Sequence, residues 1–172
     1  MGELTMKRET IFTQLGAAGT KMARILSADA ELGRFLKHQV SDPLDANLSN
    51  PTKSELLDHN IRLRPLIRLD ELTESFIILN WDYGEIDDNT DFALATLSID
   101  IFCNLDAWMI NDICQRPFKI MDYITRDLNG TRLTGLGTLR LVNFELKTLS
   151  DEYSQHKMVF IIETNSSNET LK

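Results

Sequence analysis

Several stretches of this 172-residue sequence hold residue types at spacings that chemistry uses. The first is LNGTRLTGLGTL, residues 128–139, with three glycines and three threonines. A phosphate cradle needs a strand before its glycines, a Gly-Lys-Ser/Thr ending and a helix after them, so that backbone N–H groups converge on the phosphate. Here a helical period precedes the glycines, a strand period follows, and no lysine stands at the required place. Gly130 therefore reads as a helix cap, and Gly135 with Gly137 as the entrance to a strand. The second stretch, DYGEIDDNTD at residues 82–91, carries the acids Asp82, Glu85, Asp87, Asp88 and Asp91 and no base. Asp87, Asn89 and Asp91 have the alternate spacing of a calcium loop, but Phe92 stands where that loop needs glycine and Ser98 where it needs glutamate. A solvated acidic connection is the simpler reading. The third, Arg62, Arg64 and Arg68, is a basic run suited to phosphate contacts or to protecting an exposed strand edge, and no aromatics interleave with it as a single-strand binding surface would require.

The remaining reactive side chains do not gather. His38, His59 and His156 lie far apart in polar connections, which is the pattern of surface histidines, and none has a second ligand at metal-binding spacing. Cys103 and Cys114 lack Cys-x-x-Cys spacing and read as reduced, packed thiols. No Gly-x-Ser-x-Gly elbow is present. The expectation is no catalytic set, no cofactor and no metal, hence not an enzyme. Trp108 reads equally as a core anchor or as the centre of a protein interface.

The elements that must carry these residues follow from periodicity. From Thr5 to Leu26, apolar residues at Ile11, Leu15, Ala18 and Met22 predict an amphipathic helix with a small-residue side at Gly16, Ala17 and Gly19. Asp29 caps a second helix that buries Leu32, Phe35 and Leu36. Thr52 with Glu55 predicts a capping box opening a short helix, 53–59. The period changes to two at Ile61, where Pro65 marks an edge strand, and strands follow over 75–81 and 92–105. Residues 106–116 are left open between helical turns and a loop that tucks Trp108 and Ile113 inward. Pro117 then starts a helix facing inward through Phe118, Met121, Ile124 and Leu128, and strands at 137–149 and 157–164 close the pattern, with a bulge after Leu141. The fold class is α+β: an antiparallel or mixed sheet of about four to five strands with helices packed on one face. Residues 1–165 form one domain, with N-terminal helices over 5–38 and the sheet and its helix over 61–165. Residues 166–172 are a polar tail.

Composition narrows the partners. Eighteen Lys and Arg against 26 Asp and Glu give a net charge of −8, so nothing pulls the whole chain toward nucleic acid or anionic lipid. No apolar run is long enough to span a bilayer, and the charged N-terminus is no signal peptide, so no membrane is expected.

The order of short motifs carries a resemblance. Asp42-Pro43-Leu44, the strand Ile99 to Cys103 followed by Asp106 and Trp108, Arg116-Pro117, and Leu133-Thr134-Gly135-Leu136-Gly137 succeed one another over roughly residues 10–165. In this order the chain resembles the neck proteins of tailed bacteriophages, in particular the tail terminator (tail completion) family. The resemblance implies a ring-forming virion subunit, commonly a hexamer, that caps the tail tube and joins it to the head. Its partners would be itself, the tail tube protein, a head-closure or connector protein, and DNA passing through the lumen without specific binding. Assembly would take place in the host cytoplasm. Arg62, Arg64, Arg68 and Trp108 become candidates for the contact between subunits or rings, and the acids of 82–91 for lumen lining or contact with the next ring. The alternatives are a head-closure, adaptor or tail-tube-like neck protein and, from another class, a small cytoplasmic ligand-binding domain or enzyme.

Overall fold

The computed structural model describes residues 10–63, 73–86, 92–111, 113–133, 136–148, 150 and 152–163. Helix α1 is Ile11–Ala28 and α2 is Ala30–Lys37. Asp29 separates them in an extended conformation, and its carboxylate accepts from the N–H groups of Glu31 and Leu32, as its residue type predicts. Thr52 and Glu55 form the reciprocal capping box expected of them at the start of α3, Lys53–Leu56, which is shorter than its predicted span. The last helix, α4, is Arg116–Leu128 with proline in its first turn. It ends at Asn129, and Gly130 follows at φ 82°, the left-handed position glycine takes without strain.

The strands are β1 (Ile61–Arg62), β2 (Phe76–Ile86), β3 (Phe92–Asn104), β4 (Met109–Ile110), β5 (Cys114–Gln115), β6 (Arg132–Leu133), β7 (Gly137–Thr148) and β8 (Tyr153–Glu163). Six of them make one mixed sheet in the order β1-β2-β3-β8-β7-β6, and β4 with β5 makes a separate two-stranded ribbon. Only β1 runs parallel to its neighbour. Four strands are long. The short pieces β1 and β6 at either end bring the sheet to six, against the four to five expected.

One face of the sheet carries the core. Ile77 and Leu79 of β2, Leu97, Ile99 and Ile101 of β3, and Met158, Phe160 and Ile162 of β8 pack under Met22, Leu26, Leu36, Ile120 and Ile124 of the helices, all buried. Alternation along β3 and β8 delivers these residues to the same side, while an amphipathic stripe on each helix answers them. The opposite face has a small cluster of its own, in which Phe76 and Phe102 stack at 4.6 Å with Ile78 beside them.

Several sequence expectations change. Strand β2 continues to Ile86, so Asp82 and Glu85 belong to a strand rather than to the acidic connection. Strand β8 begins at Tyr153, which turns His156 inward opposite Ile101; it is buried at 1 %, not a surface histidine. Residues 106–116 become a 3₁₀ turn, Leu105–Ala107, followed by the β4–β5 ribbon, whose tip leaves Ile113 85 % exposed rather than tucked in. In α4 the buried face is set by Pro117, Ile120, Met121, Ile124 and Leu128, and Phe118 is left out of it. The bulge in β7 occurs where the alternation breaks, between Leu141 and Asn143.

Candidate functional site

Arg64, Arg68, Asp87, Asp88 and Asp91 lie outside the described residues. Arg62 stands on the outermost strand, but its side chain folds back over the protein. Its Nε donates to the His59 carbonyl at 2.6 Å and its guanidinium lies over the Phe76 ring, 4.8 Å from the centroid. Asp82 accepts from Ser98 Oγ at 3.0 Å and pairs with Lys157 Nζ at 2.6 Å. The hydrogen bond to Asp82 raises the Lys157 pKa, which holds the ammonium in its charged form at neutral pH. Glu85 is in β2 opposite Leu94. Arg62 and Asp82 are thus each engaged within the chain, with different partners.

What the structure does assemble is a buried cation that the sequence reading did not single out as a site. Arg116 has no exposed surface. Its Nε donates to the Ala107 carbonyl at 2.6 Å, Nη1 to Phe35 at 2.7 Å and His38 at 2.9 Å, and Nη2 to Val40 at 2.6 Å. Its backbone N–H donates to the Trp108 carbonyl at 2.8 Å. Two of those acceptors, Phe35 and His38, belong to the C-terminal end of α2, where the helix dipole leaves unsatisfied carbonyls and favours positive charge. Burial lowers the Arg116 pKa, yet arginine starts so high that it stays charged. Three of the motifs that carried the resemblance, Asp42-Pro43-Leu44, Asp106 with Trp108, and Arg116-Pro117, lie around this residue, whereas Leu133 and Gly137 stand apart in β6 and β7. Arg34 Nε donates to the Pro43 carbonyl at 2.8 Å, and the Asn111 N–H donates to Ser41 at 2.9 Å, which fastens the Asp-Pro-Leu loop beside the Asp106 to Trp108 turn. The arrangement is a strut joining α2, the 38–45 strap and the start of α4. It offers no acid, base or nucleophile to a substrate. The nearby Cys103 thiol is pushed up to about 12 by burial and is unreactive at neutral pH.

Next to this strut lies an aromatic border. Trp108 is half-buried, its ring 5.7 Å from that of His156, and the Phe118 ring meets the other side of His156 at 5.6 Å. Among the described residues His156 Nδ1 has no hydrogen-bond partner, and burial lowers the ring's pKa. Beyond His156 the same sheet face passes to Leu146 and Phe144 of β7, which pair with His156 and Met158 and stand 63 % and 59 % exposed. The core face of the sheet therefore runs out from under the helices and into solvent along β7.

A cavity of about 190 Å³ lies between α1 and the sheet, lined by Leu15, Gly16, Gly19 and Trp81 among others. Its walls are mainly apolar, and the Trp81 indole N–H already donates to the Leu15 carbonyl at 3.2 Å. Among the described residues no three His, Cys, Asp or Glu side chains converge as a metal ion would need. No helix among them is long and apolar enough to cross a membrane.

Among solved structures, a chain in the virion of a native gene transfer agent particle is similar to this one, with a TM-score of 0.56 and 14 % identity. The superposition covers 88 % of this chain and 97 % of that chain, so the likeness extends to nearly the whole fold. No curated protein matches the chain. Residues 29–162 match the YomW family. That span runs from the cap of α2 to the penultimate residue of β8 and contains the whole Arg116 strut and the six-stranded sheet. By this match over most of its length, the chain belongs to the YomW family.

Proposed function

We propose that this protein is a virion structural protein of a phage-like particle and, within the virion, the subunit of a tail terminator ring that caps the tail tube and joins it to the head. The observation that carries the reading is the shared fold with a virion chain of the gene transfer agent, over nearly the full length of both. Three of the motifs behind the resemblance support it further, because Asp42-Pro43-Leu44, Asp106 with Trp108, and Arg116-Pro117 form one unit that joins α2, the 38–45 strap and the start of α4. A chain whose best-built buried polar site is a strut, with its apolar sheet face emerging into solvent, is organised for assembly rather than for turnover.

In this reading the ring, commonly a hexamer, is held by head-to-tail contacts in which the arginine edge, Arg62, Arg64 and Arg68, meets acids of the neighbouring copy, Arg62 by swinging out from its place over Phe76, with Trp108 at an interface. The acidic stretch that includes Asp82, Glu85, Asp87, Asp88 and Asp91 lines the lumen or meets the next ring, and like charge keeps passing DNA from adhering. Tail tube protein and a head-closure or connector protein are the partners on either side.

Negative-stain images of the purified protein, alone and mixed with tube subunits, test this. Rings of uniform diameter that sit at one end of tubes and halt their growth are expected, and Arg62→Glu with Arg64→Glu should abolish rings while leaving the monomer folded. Rings that join head connectors but never tube ends would assign the chain to head closure instead. Absence of rings with and without tube subunits would remove the neck reading altogether.

A further inference from the structure

Among the described residues, the outer edge of β7 is covered only at its beginning. Leu139 donates to the Thr131 carbonyl and accepts from the Gly130 N–H, and the Leu141 N–H donates to Asn129 Oδ1 at 2.9 Å. Beyond Leu141, among the described residues, no strand pairs with that edge: β6 reaches only Gly137 and Thr138, and the order of the sheet gives β7 no other neighbour on this side. Proteins usually blunt so long an edge with proline, charged side chains or a bulge. Residues 143–148 hold no proline, the β7 bulge lies at the covered end, and the two charges there, Glu145 and Lys147, are of opposite sign and pair with each other at 3.0 Å. The flanking surface is apolar: Phe118, Phe144 and Leu146 are 45 %, 59 % and 63 % exposed. An edge whose N–H and C=O groups meet no strand among the described residues, bordered by apolar side chains, is the recognition surface for one more extended strand.

We propose that this strand is β7 of a second copy of the chain, running antiparallel about a two-fold axis through Leu146. Charge selects both the partner and the register. Glu145 and Lys147 project from the same face of β7, two residues apart. With the axis at Leu146, Glu145 lies opposite the partner's Lys147 and Lys147 opposite the partner's Glu145, while Leu146 meets its own copy and Phe144 meets the partner's Thr148. An axis at residue 145 sets two glutamates face to face, one at residue 147 sets two lysines together, and one at residue 144 leaves Lys147 opposite Leu141. Like charges directly opposite are unfavourable in a sheet, and opposite charges are favourable. Of these registers only one sets each charge opposite a charge of the other sign in the partner, and it also brings the two exposed leucines together. The contact is self-complementary and closes at two copies, so it is separate from the head-to-tail contact of a ring and does not rest on the virion reading.

Cross-linking tests the geometry directly. Directly opposite residues in an antiparallel pair have Cα atoms about 4.5–5.5 Å apart, within disulfide reach. The full chain carrying Leu146→Cys and Cys114→Ser should form a covalent dimer on mild oxidation, while Tyr83→Cys in the same background should not. By sedimentation equilibrium, Glu145→Lys alone should weaken the dimer by roughly fivefold or more, since both symmetric pairs are lost. Glu145→Lys with Lys147→Glu should restore it. Circular dichroism and urea unfolding establish that each variant folds. A chain that is monomeric up to millimolar concentration, or oligomers that never cross-link through position 146, would overturn the proposal. Cross-linked dimers without rings would support it while counting against the ring reading.

Discussion

Arg116 is held by four main-chain carbonyls, and removing its side chain leaves those oxygens buried without donors. Each such loss costs about 1–3 kcal/mol, so Arg116→Met should lower unfolding stability by about 3 kcal/mol or more. Arg116→Lys should recover only part of it, because an ammonium cannot span the fork. Urea unfolding measures both, and a loss below about 1 kcal/mol would show that water replaces the guanidinium without difficulty. His156 gives a pH dependence. Burial holds its folded pKa below the ordinary 6.5, so between those two values the unfolded chain binds more protons than the folded one. Stability should therefore be fully present above about pH 6.5 and fall as the pH drops toward the folded pKa. His156→Gln should flatten that slope, and an unchanged slope would assign it to other groups. Neither residue's environment is legible in the sequence. The carbonyls that hold Arg116 come from segments up to 81 positions away, and the inward turn of His156 depends on a strand that starts four residues earlier than its polar composition suggests.

At the scale of elements, the sequence is most readable where one residue's own backbone chemistry decides the outcome. The Asp29 cap, the Thr52–Glu55 box, the glycine after α4 and the break in alternation in β7 all stand where local rules put them. The 106–116 segment is different, because its shape is dictated by contacts to the 38–45 strap and to Arg116 rather than by its own periodicity. Two glycines separate these regimes. Gly16 lies inside α1 with open space around it, so Gly16→Ala should stabilise the chain by up to about 1 kcal/mol through helix propensity alone. Gly130 also has open space but sits at φ 82°, so Gly130→Ala should destabilise by about 1–2 kcal/mol. Equal effects in the two unfolding curves would mean that backbone conformation does not control the α4 terminus.

For the molecule as a whole, the α+β class and the helix layer over one sheet face follow from the alternation of strands with amphipathic stretches. The strand order does not, since no local pattern tells β3 to choose β8. Yet that pairing, Leu94 to Asn104 against Tyr153 to Glu163, is what unites two hairpins into one sheet. It also sets a schedule for synthesis. At ~5–20 residues per second, the inner edge of β3 waits for seconds before the ribosome delivers β8. During that interval Leu97, Ile99 and Ile101 have helices to pack against only in part, and the β2–β3 hairpin has an open side. Pairing of such distant segments also slows folding, since the loop must close before the contacts reward it. A chain with this topology spends its most vulnerable moments with β3 open, and its yield of native subunits depends on how well other copies are kept away from that edge until β8 arrives.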